Sequence, residues 1–188
     1  MHKPCAVQGH LNQRLWLCDY QPTLPLLTIV CLLASQVRCL ADIVAMHPND
    51  GCADITTRQN WQLRGMTKED IPGILAKLQA AGLTSIQSGL DNVRNTVGNP
   101  LAGIDPHEII DTLPICKEID RYVTNDGKGN PEITNLPRKW NVCVVGTHDL
   151  FEHPHINDLA FMPATKDGVM GFNILVRARA GCANSTLE

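Results

Sequence analysis

Between Cys52 and Gln87 the hydrophobic period changes twice, and that change limits the folds open to the chain. Ile55, Thr57, Trp61 and Leu63 alternate with polar residues, the period of two that marks a half-buried strand over Cys52 to Arg64. Ile71, Ile74, Leu75 and Leu78 then recur at helical spacing. Thr67 and Asp70 form a capping pair ahead of them, and Gly82 is the expected stop. Leu83 to Gln87 reads as another short strand, so 52–87 is expected to be a β-α-β unit.

The flanks extend this pattern. Val37, Leu40, Ile43 and Val44 predict a short helix over 36–46, followed by a turn at Asn49-Asp50-Gly51. Residues 88–104 are rich in glycine and asparagine and read as a loop. Asp105 and Glu108 open a helix expected to run to about Val123, and a polar connection spans Asn125 to Pro137. Trp140 to Val145 is a strongly apolar strand. Leu159 to Ala164 and Val169 to Val176 predict a hairpin around Lys166-Asp167-Gly168. The expected class is α+β, with helices on one face of a largely antiparallel sheet. Residues 177–188 carry no period and read as a tail.

The first 35 residues follow neither period. Leu24 to Ala34 is an apolar run too short for a membrane span, which needs roughly 20 residues. It suits the apolar core of a signal peptide no better than a divergent organelle-targeting segment or a misread exon boundary. The formal charge of −3 over 188 residues points to neither nucleic acid nor an acidic tail, so anion binding must come from a local cluster. None of the eight cysteines forms a C-x-x-C pair, the spacing that zinc and iron–sulfur sites favour. Scattered reduced thiols are expected.

Three groups carry candidate chemistry. If 52–64 is one strand, Thr56, Arg58, Asn60, Gln62 and Arg64 share a face opposite Trp61 and Leu63, a donor array roughly 20 Å long at ~3.3 Å per residue. Guanidinium forks suit carboxylates and oxyanions, although a solvated strand face is the commoner fate of such charges. Arg94 lies in the loop after Gln87, and Arg138 and Lys139 stand at the entry to the Trp140 strand. His148, His153 and His155 offer a weaker metal-like spacing with no supporting motif.

These residues belong to longer runs. Gly51-Cys52-Ala53-Asp54-Ile55-Thr56-Thr57-Arg58-Gln59-Asn60-Trp61-Gln62-Leu63-Arg64-Gly65 resembles the sirohaem-contacting strand of ferredoxin-dependent nitrite reductases. Asp91-Asn92-Val93-Arg94-Asn95, Asn135-Leu136-Pro137-Arg138-Lys139-Trp140-Asn141, His153-Pro154-His155-Ile156-Asn157-Asp158 and Gly171-Phe172-Asn173-Ile174-Leu175-Val176 resemble the same family. The likeness runs from about Gln36 to Val176.

The resemblance implies a ferredoxin-like half-domain over 36–105 and the start of a sirohaem-binding nitrite/sulfite reductase domain over 106–176, flanked by a divergent segment 1–35 and the tail. It implies reduction of nitrite to ammonia with electrons from reduced ferredoxin, through sirohaem and a [4Fe–4S] cluster that share a cysteine thiolate. Arg94, Lys139 and Asn141 would face the substrate, and Thr57, Arg58, Gln62, Arg64 and Arg138 would hold sirohaem carboxylates. Asn141 favours nitrite, because sulfite-reducing relatives tend to carry a lysine there. The resemblance assigns no metal ligand to this chain: the family's cluster cysteines lie beyond the matched stretch. The expectation is an amino-terminal portion, inactive alone and located in the plastid stroma, or in the cytoplasm of a prokaryote. A stand-alone tetrapyrrole- or anion-binding domain, or a portion of an assimilatory sulfite reductase, are the alternatives. Neither nucleic acid nor membrane is an expected partner.

Overall fold

A computed structural model describes residues 15–17, 32–47, 51–89, 91–177 and 185–187, the first and last of these by backbone alone. The expected targeting segment and the turn at 49–50 therefore lie outside the described residues, apart from Leu15–Leu17. The elements are β1 (Leu15–Leu17), α1 (Ala34–Ala45), β2 (Cys52–Ile55), β3 (Trp61–Arg64), α2 (Ile71–Ala80), α3 (Thr112–Thr124), β4 (Val142–Val144), β5 (Leu159–Lys166), β6 (Val169–Val176) and β7 (Ser185–Leu187). The class is a mixture of helix and sheet, as the periodicities require. No described helix is long and apolar enough to cross a membrane.

The amino-terminal part is an antiparallel sheet in the order β1-β3-β2 packed on α1 and α2. Its core joins Leu40 and Ile43 of α1, Leu63 of β3, Ile74 and Leu78 of α2, and Met66 and Leu83 at the element ends. Gln36 binds the two helices together. Its side-chain oxygen accepts from the Leu33 amide at 2.8 Å, and its nitrogen donates to the Ala81 carbonyl at 3.2 Å. The Asp70 carboxylate accepts from the amide and the hydroxyl of Thr67. Gly82 ends α2 in the left-handed region, and Leu83 then donates back to the Leu78 carbonyl at 2.8 Å.

The single strand expected over Cys52 to Arg64 is instead a hairpin. Asp54 pairs with Gln62 and Cys52 with Arg64. The reversal lies at Thr56–Asn60. The Thr56 amide donates to the Asn60 carbonyl, the Thr56 carbonyl accepts from Gln59, and the Thr56 hydroxyl accepts from the Asn60 amide. Gln59 adopts a φ of 60° there. A strand-like run of alternating residues carries no mark of such a turn, because neither Gly nor Pro signals it. Leu83 to Gln87 is also not a strand but an isolated bridge residue at Thr84 followed by a turn at residues 86–87, with Gln87 at a φ of 61°.

The second part is a four-stranded sheet in the order β4-β5-β6-β7. β5 and β6 pair antiparallel along their whole length, joined by Asp167 and Gly168, both at positive φ as a two-residue primed turn demands. β4 and β5 run parallel, the one parallel pair among the described strands, while the other pairs are antiparallel as expected. Parallel neighbours need a crossover of a dozen or more residues, and residues 145–158 supply it. Ser185–Leu187, expected to be tail, pair with β6.

The helix expected from Asp105 begins at Thr112. Asp105 spends its carboxylate on the His107 amide and its carbonyl on Glu108, closing a local turn. The Ile109 amide then donates to Gly146 O at 2.8 Å, which draws the chain onto the sheet before the helix starts. Asp111 is the true cap, accepting from the Leu113 amide at 3.0 Å. Thr112, Cys116 and Asp120 form the buried stripe of α3.

Candidate functional site

The expected loop at 88–104 is the element that organises the site. Its residues 92–97 run parallel to β4 as an irregular extra strand, bridging Val93 to Trp140 and Val97 to Cys143. Four steps along the first segment face three along β4, so the pairing contains a bulge at 94–96. Each backbone N–H of the bulge has a partner. Arg94 donates to Trp140 O at 2.8 Å, Asn95 to Gln87 O at 3.3 Å and Val97 to Val142 O at 3.1 Å. The Thr96 amide donates to a side-chain oxygen of Asp120 at 3.0 Å. This accounting explains how a glycine- and asparagine-rich segment is buried at Asn95–Asn99.

The register decides which side chains meet. The Trp140 amide donates to Asn92 O at 2.9 Å and its carbonyl accepts from Arg94, so the bridge to Val93 brings Asn92 and Arg94 directly alongside Lys139 and Asn141. The backbone of Asn141 is fixed on both sides, donating to Asp158 Oδ2 at 2.8 Å and accepting from the amides of Asp158 and Leu159. Lys139 is exposed, with its backbone amide on Asp91 Oδ1 at 3.2 Å. Arg138 pairs with the same carboxylate at 3.4 Å. One Arg94 guanidinium nitrogen donates to the Ser88 carbonyl at 2.9 Å. Desolvation lowers the proton affinity of Arg94. The nearby Asp91 opposes that effect and the positive charge of Arg138 adds to it. The charges of Arg94 and Arg138 thus meet at the Asp91 carboxylate, which also holds the Lys139 backbone, a local concentration of cations on a chain of negative net charge.

The hairpin contributes a second group. Trp61 and Leu63 face the helices, so Gln62 and Arg64 share the other face with Asp54. Asp54 and Arg64 form an ion pair. Gln62 is buried, and its side-chain Nε2, like Nε of Arg64, is buried with no hydrogen-bond partner among the described residues. A buried N–H without an acceptor costs roughly 1–3 kcal/mol, so Gln62 Nε2 and Arg64 Nε are two donors open to an acceptor beside the Asp54 carboxylate. Thr57 sits exposed in the hairpin turn.

Arg58 joins the two parts. Its guanidinium donates to the Asn157 side chain at 3.1 Å, to Val142 O at 3.0 Å and to the Asn95 carbonyl within the bulge. Asn60 and Asn95 add a side-chain pair at 3.0 Å, and Asn95 donates back to Arg58 O at 3.0 Å. The long donor array expected on one strand is therefore divided: Gln62 and Arg64 stay on the sheet, while Arg58 turns into the bulge.

Several residues of the site escape the sequence reading. Asp120 is buried on α3, and desolvation raises its carboxyl to about 6 against bonds from Thr96 and Gln87 and the charge of Arg58. Glu152 is buried, accepts from the Gly146 amide at 3.0 Å and is raised by burial as well. Thr96 and Asp120 are 24 positions apart, and no local signal links them. The thiols of Cys116 and Cys143 are buried and pushed up, that of Cys143 to about 12. His148, His153 and His155 are each exposed. No group of three His, Cys, Asp or Glu among the described residues converges as a metal site would require.

With this geometry in hand, comparison with known proteins is informative. The family model for the nitrite/sulfite reductase ferredoxin-like half domain matches residues 31–81, and that for the nitrite and sulphite reductase 4Fe-4S domain matches residues 89–187. The chloroplastic ferredoxin–nitrite reductase of Zea mays is 66% identical over 143 residues, 76% of this chain and 25% of the relative. That of Leptolyngbya laminosa is 54% identical over 145 residues, 77% of this chain and 28% of the relative. The chain spans about a quarter of the length of the curated relatives it matches. The solved structure of the Mycobacterium tuberculosis NirA protein superimposes with a TM-score of 0.68 at 27% identity, covering 87% of this chain and 27% of that one.

Proposed function

The chain belongs to the nitrite and sulphite reductase 4Fe-4S domain family, and on that premise we propose that it forms the anion-facing wall of a ferredoxin-dependent nitrite reductase. The observation that carries the reading is the bridge from Val93 to Trp140, which supports it by bringing Arg94 next to Lys139 and Asn141 in the fold. A guanidinium, an ammonium and a neutral amide together suit a small monovalent oxyanion. A dianion such as sulfite would be better served by a further cation in place of Asn141.

Sirohaem fits the residues present. It is rich in carboxylates, and the hairpin face offers the side-chain amide of Gln62 and Nε of Arg64, both buried donors lacking an acceptor. Gln62, Arg64, Arg138 and Thr57 would hold the group, and Arg58 would support that surface from behind. When bound, sirohaem would supply an iron with an open position and a route for electrons to the anion. The protein's own work is to bind and orient. Arg94 and Lys139 would stabilise negative charge as the anion is reduced, and Lys139, exposed and carrying exchangeable protons, would help meet the proton demand of ammonia formation.

The iron–sulfur cluster does not fit the described cysteines. A cluster needs several thiolates brought together, and Cys39, Cys52, Cys116 and Cys143 do not converge in any group of three ligand side chains among the described residues. Cluster ligation is accordingly left to residues outside those described. Reduced ferredoxin as the electron donor follows from the names of the relatives. The chloroplastic designation of the plant relatives supports a plastid location, with the stroma as the proposed compartment. The division into a ferredoxin-like half and a reductase domain belongs to the same proposal.

The test is a chimera in which residues 36–176 replace the matching segment of the Zea mays enzyme. We expect reduction of nitrite with reduced ferredoxin and its loss on Lys139→Ala. A chimera that assembles its sirohaem chromophore, binds ferredoxin and yet turns over no nitrite would refute the reading.

A further inference from the structure

Arg94 is held from two directions, and both lead to one buried carboxylate. On the downstream side, Thr96 gives Asp120 its amide at 3.0 Å and its hydroxyl at 2.7 Å. On the upstream side, the Arg94 guanidinium rests on Ser88 O at 2.9 Å, and the side chain of the adjacent Gln87 donates to Asp120. Gln87 also accepts from the Asn95 amide through its carbonyl and reaches Val93 O through its side chain at 3.4 Å. The contacts close a ring from Asp120 through Thr96 and the bulge to Arg94, then through Ser88 and Gln87 back to Asp120. Arg58 contacts the bulge from the hairpin side through Asn95 O and attracts Asp120 electrostatically. A bulge is the part of a ladder least fixed by backbone pairing, so its geometry depends on such side-chain anchors.

We propose that Asp120 is a positioning residue for the anion-binding face: its carboxylate sets the bulge that aims Arg94 at the substrate. The reaction in question is the one proposed above, and the inference deepens that reading. Asp120 itself touches no substrate. The charged and titratable groups around it are Arg58 on the hairpin turn and Cys116 on its own helix. Cys143 of β4 and Glu152 of the crossover lie beyond Cys116. A carboxylate holding both an amide and a hydroxyl of one residue is a strong anchor, since charged acceptors make stronger bonds than neutral ones. Losing its charge would loosen Thr96 and Gln87 together, and with them both supports of Arg94.

The test follows the isotope-labelled 188-residue chain by NMR across the mildly acidic range, without nitrite. The Thr96 amide and the Arg94 Nε signals are expected to move together with one midpoint near 6. In Asp120→Asn, which keeps the acceptor oxygen but cannot ionise, both shifts should vanish while the spectrum stays folded. If Thr96 titrates and Arg94 does not, the positioning role is overturned. A second readout uses the chimera. Asp120→Leu is expected to raise the KM for nitrite about tenfold or more, as small misplacements of a binding group do. Asp120→Asn, which keeps an acceptor for Thr96 but carries no charge, is expected to recover only part of the loss. An Asp120→Leu chimera with unchanged KM would equally overturn the idea. Because the NMR measurement needs no catalysis, failure of the chimera to reduce nitrite would tell against the functional reading alone.

Discussion

Replacing Asp120 by asparagine should make the protein more stable at neutral pH. Burial raises the Asp120 carboxyl from 3.8 to about 6, even though Thr96 and Gln87 donate to it. One pKa unit corresponds to about 1.4 kcal/mol, so a rise of roughly two units costs the fold up to about 3 kcal/mol when the group is ionised. The sign follows from proton binding. Between the unfolded value of 3.8 and about 6 the folded state holds the proton and the unfolded state does not. Stability from this group is therefore greatest below the unfolded pKa and declines as pH rises through that window. Asparagine keeps one acceptor for Thr96 and carries no charge. After allowance for an amide nitrogen that must find an acceptor, a gain of about 1–2 kcal/mol is expected at neutral pH. Urea unfolding of both proteins, at about pH 4 and about pH 7, measures it. The two should differ little at the lower pH and separate at the higher. A difference that stays constant across the window, or a variant less stable than the parent at neutral pH, would refute the reasoning.

Other perturbations test the remaining parts of the frame. Arg58→Met strands three acceptors, the Asn95 and Val142 carbonyls and the Asn157 side chain. It should cost roughly 2–4 kcal/mol in urea unfolding, and a change under about 0.5 kcal/mol would show that the clamp carries no weight. A Cβ at Gly146 would lie 2.9 Å from the Thr112 side chain and 3.0 Å from that of Asn99. Gly146→Ala should therefore destabilise by about 1–3 kcal/mol, read as a lowered melting midpoint. Leu63→Ala empties a fully buried position between both helices and the sheet. A loss of about 2–5 kcal/mol is expected from the same denaturation assay.

The elements with strong local signals were legible in advance. The hairpin at Asp167-Gly168 is one, because only residues tolerant of positive φ suit a two-residue connection. The stop at Gly82 is another, since a left-handed residue there lets the last carbonyls of α2 be satisfied. α1 and α2 followed from apolar spacing. What failed was the distinction between a long strand and a hairpin at 52–64. Thr56 makes that turn with its own carbonyl and hydroxyl, chemistry that a threonine in a strand shows equally well. The start of α3 was misread for a related reason. Asp105 and Glu108 have the composition of a cap, but a tertiary bond from Ile109 to Gly146 holds the chain off the helix until Asp111.

The candidate site shows the same division. The residue types for binding a small anion, Arg94, Arg138, Lys139 and Asn141, stand in the sequence, as does the chemistry that follows from guanidinium, ammonium and amide donors. That Arg94 lies beside Lys139 and Asn141 does not. It depends on the pairing of Val93 with Trp140, 47 positions later, and such a register is set by which distant backbone groups close the ladder. Arg58 could be recognised as a donor, yet only the fold directs it into the bulge. Asp120 was invisible as a site residue because burial, which raises its carboxyl and makes it an anchor, is a property of the packed molecule. Local sequence determined what each segment could donate and where most elements lie. Tertiary structure decided which donors meet, because long-range pairing and desolvation arise only when separate segments exclude water together.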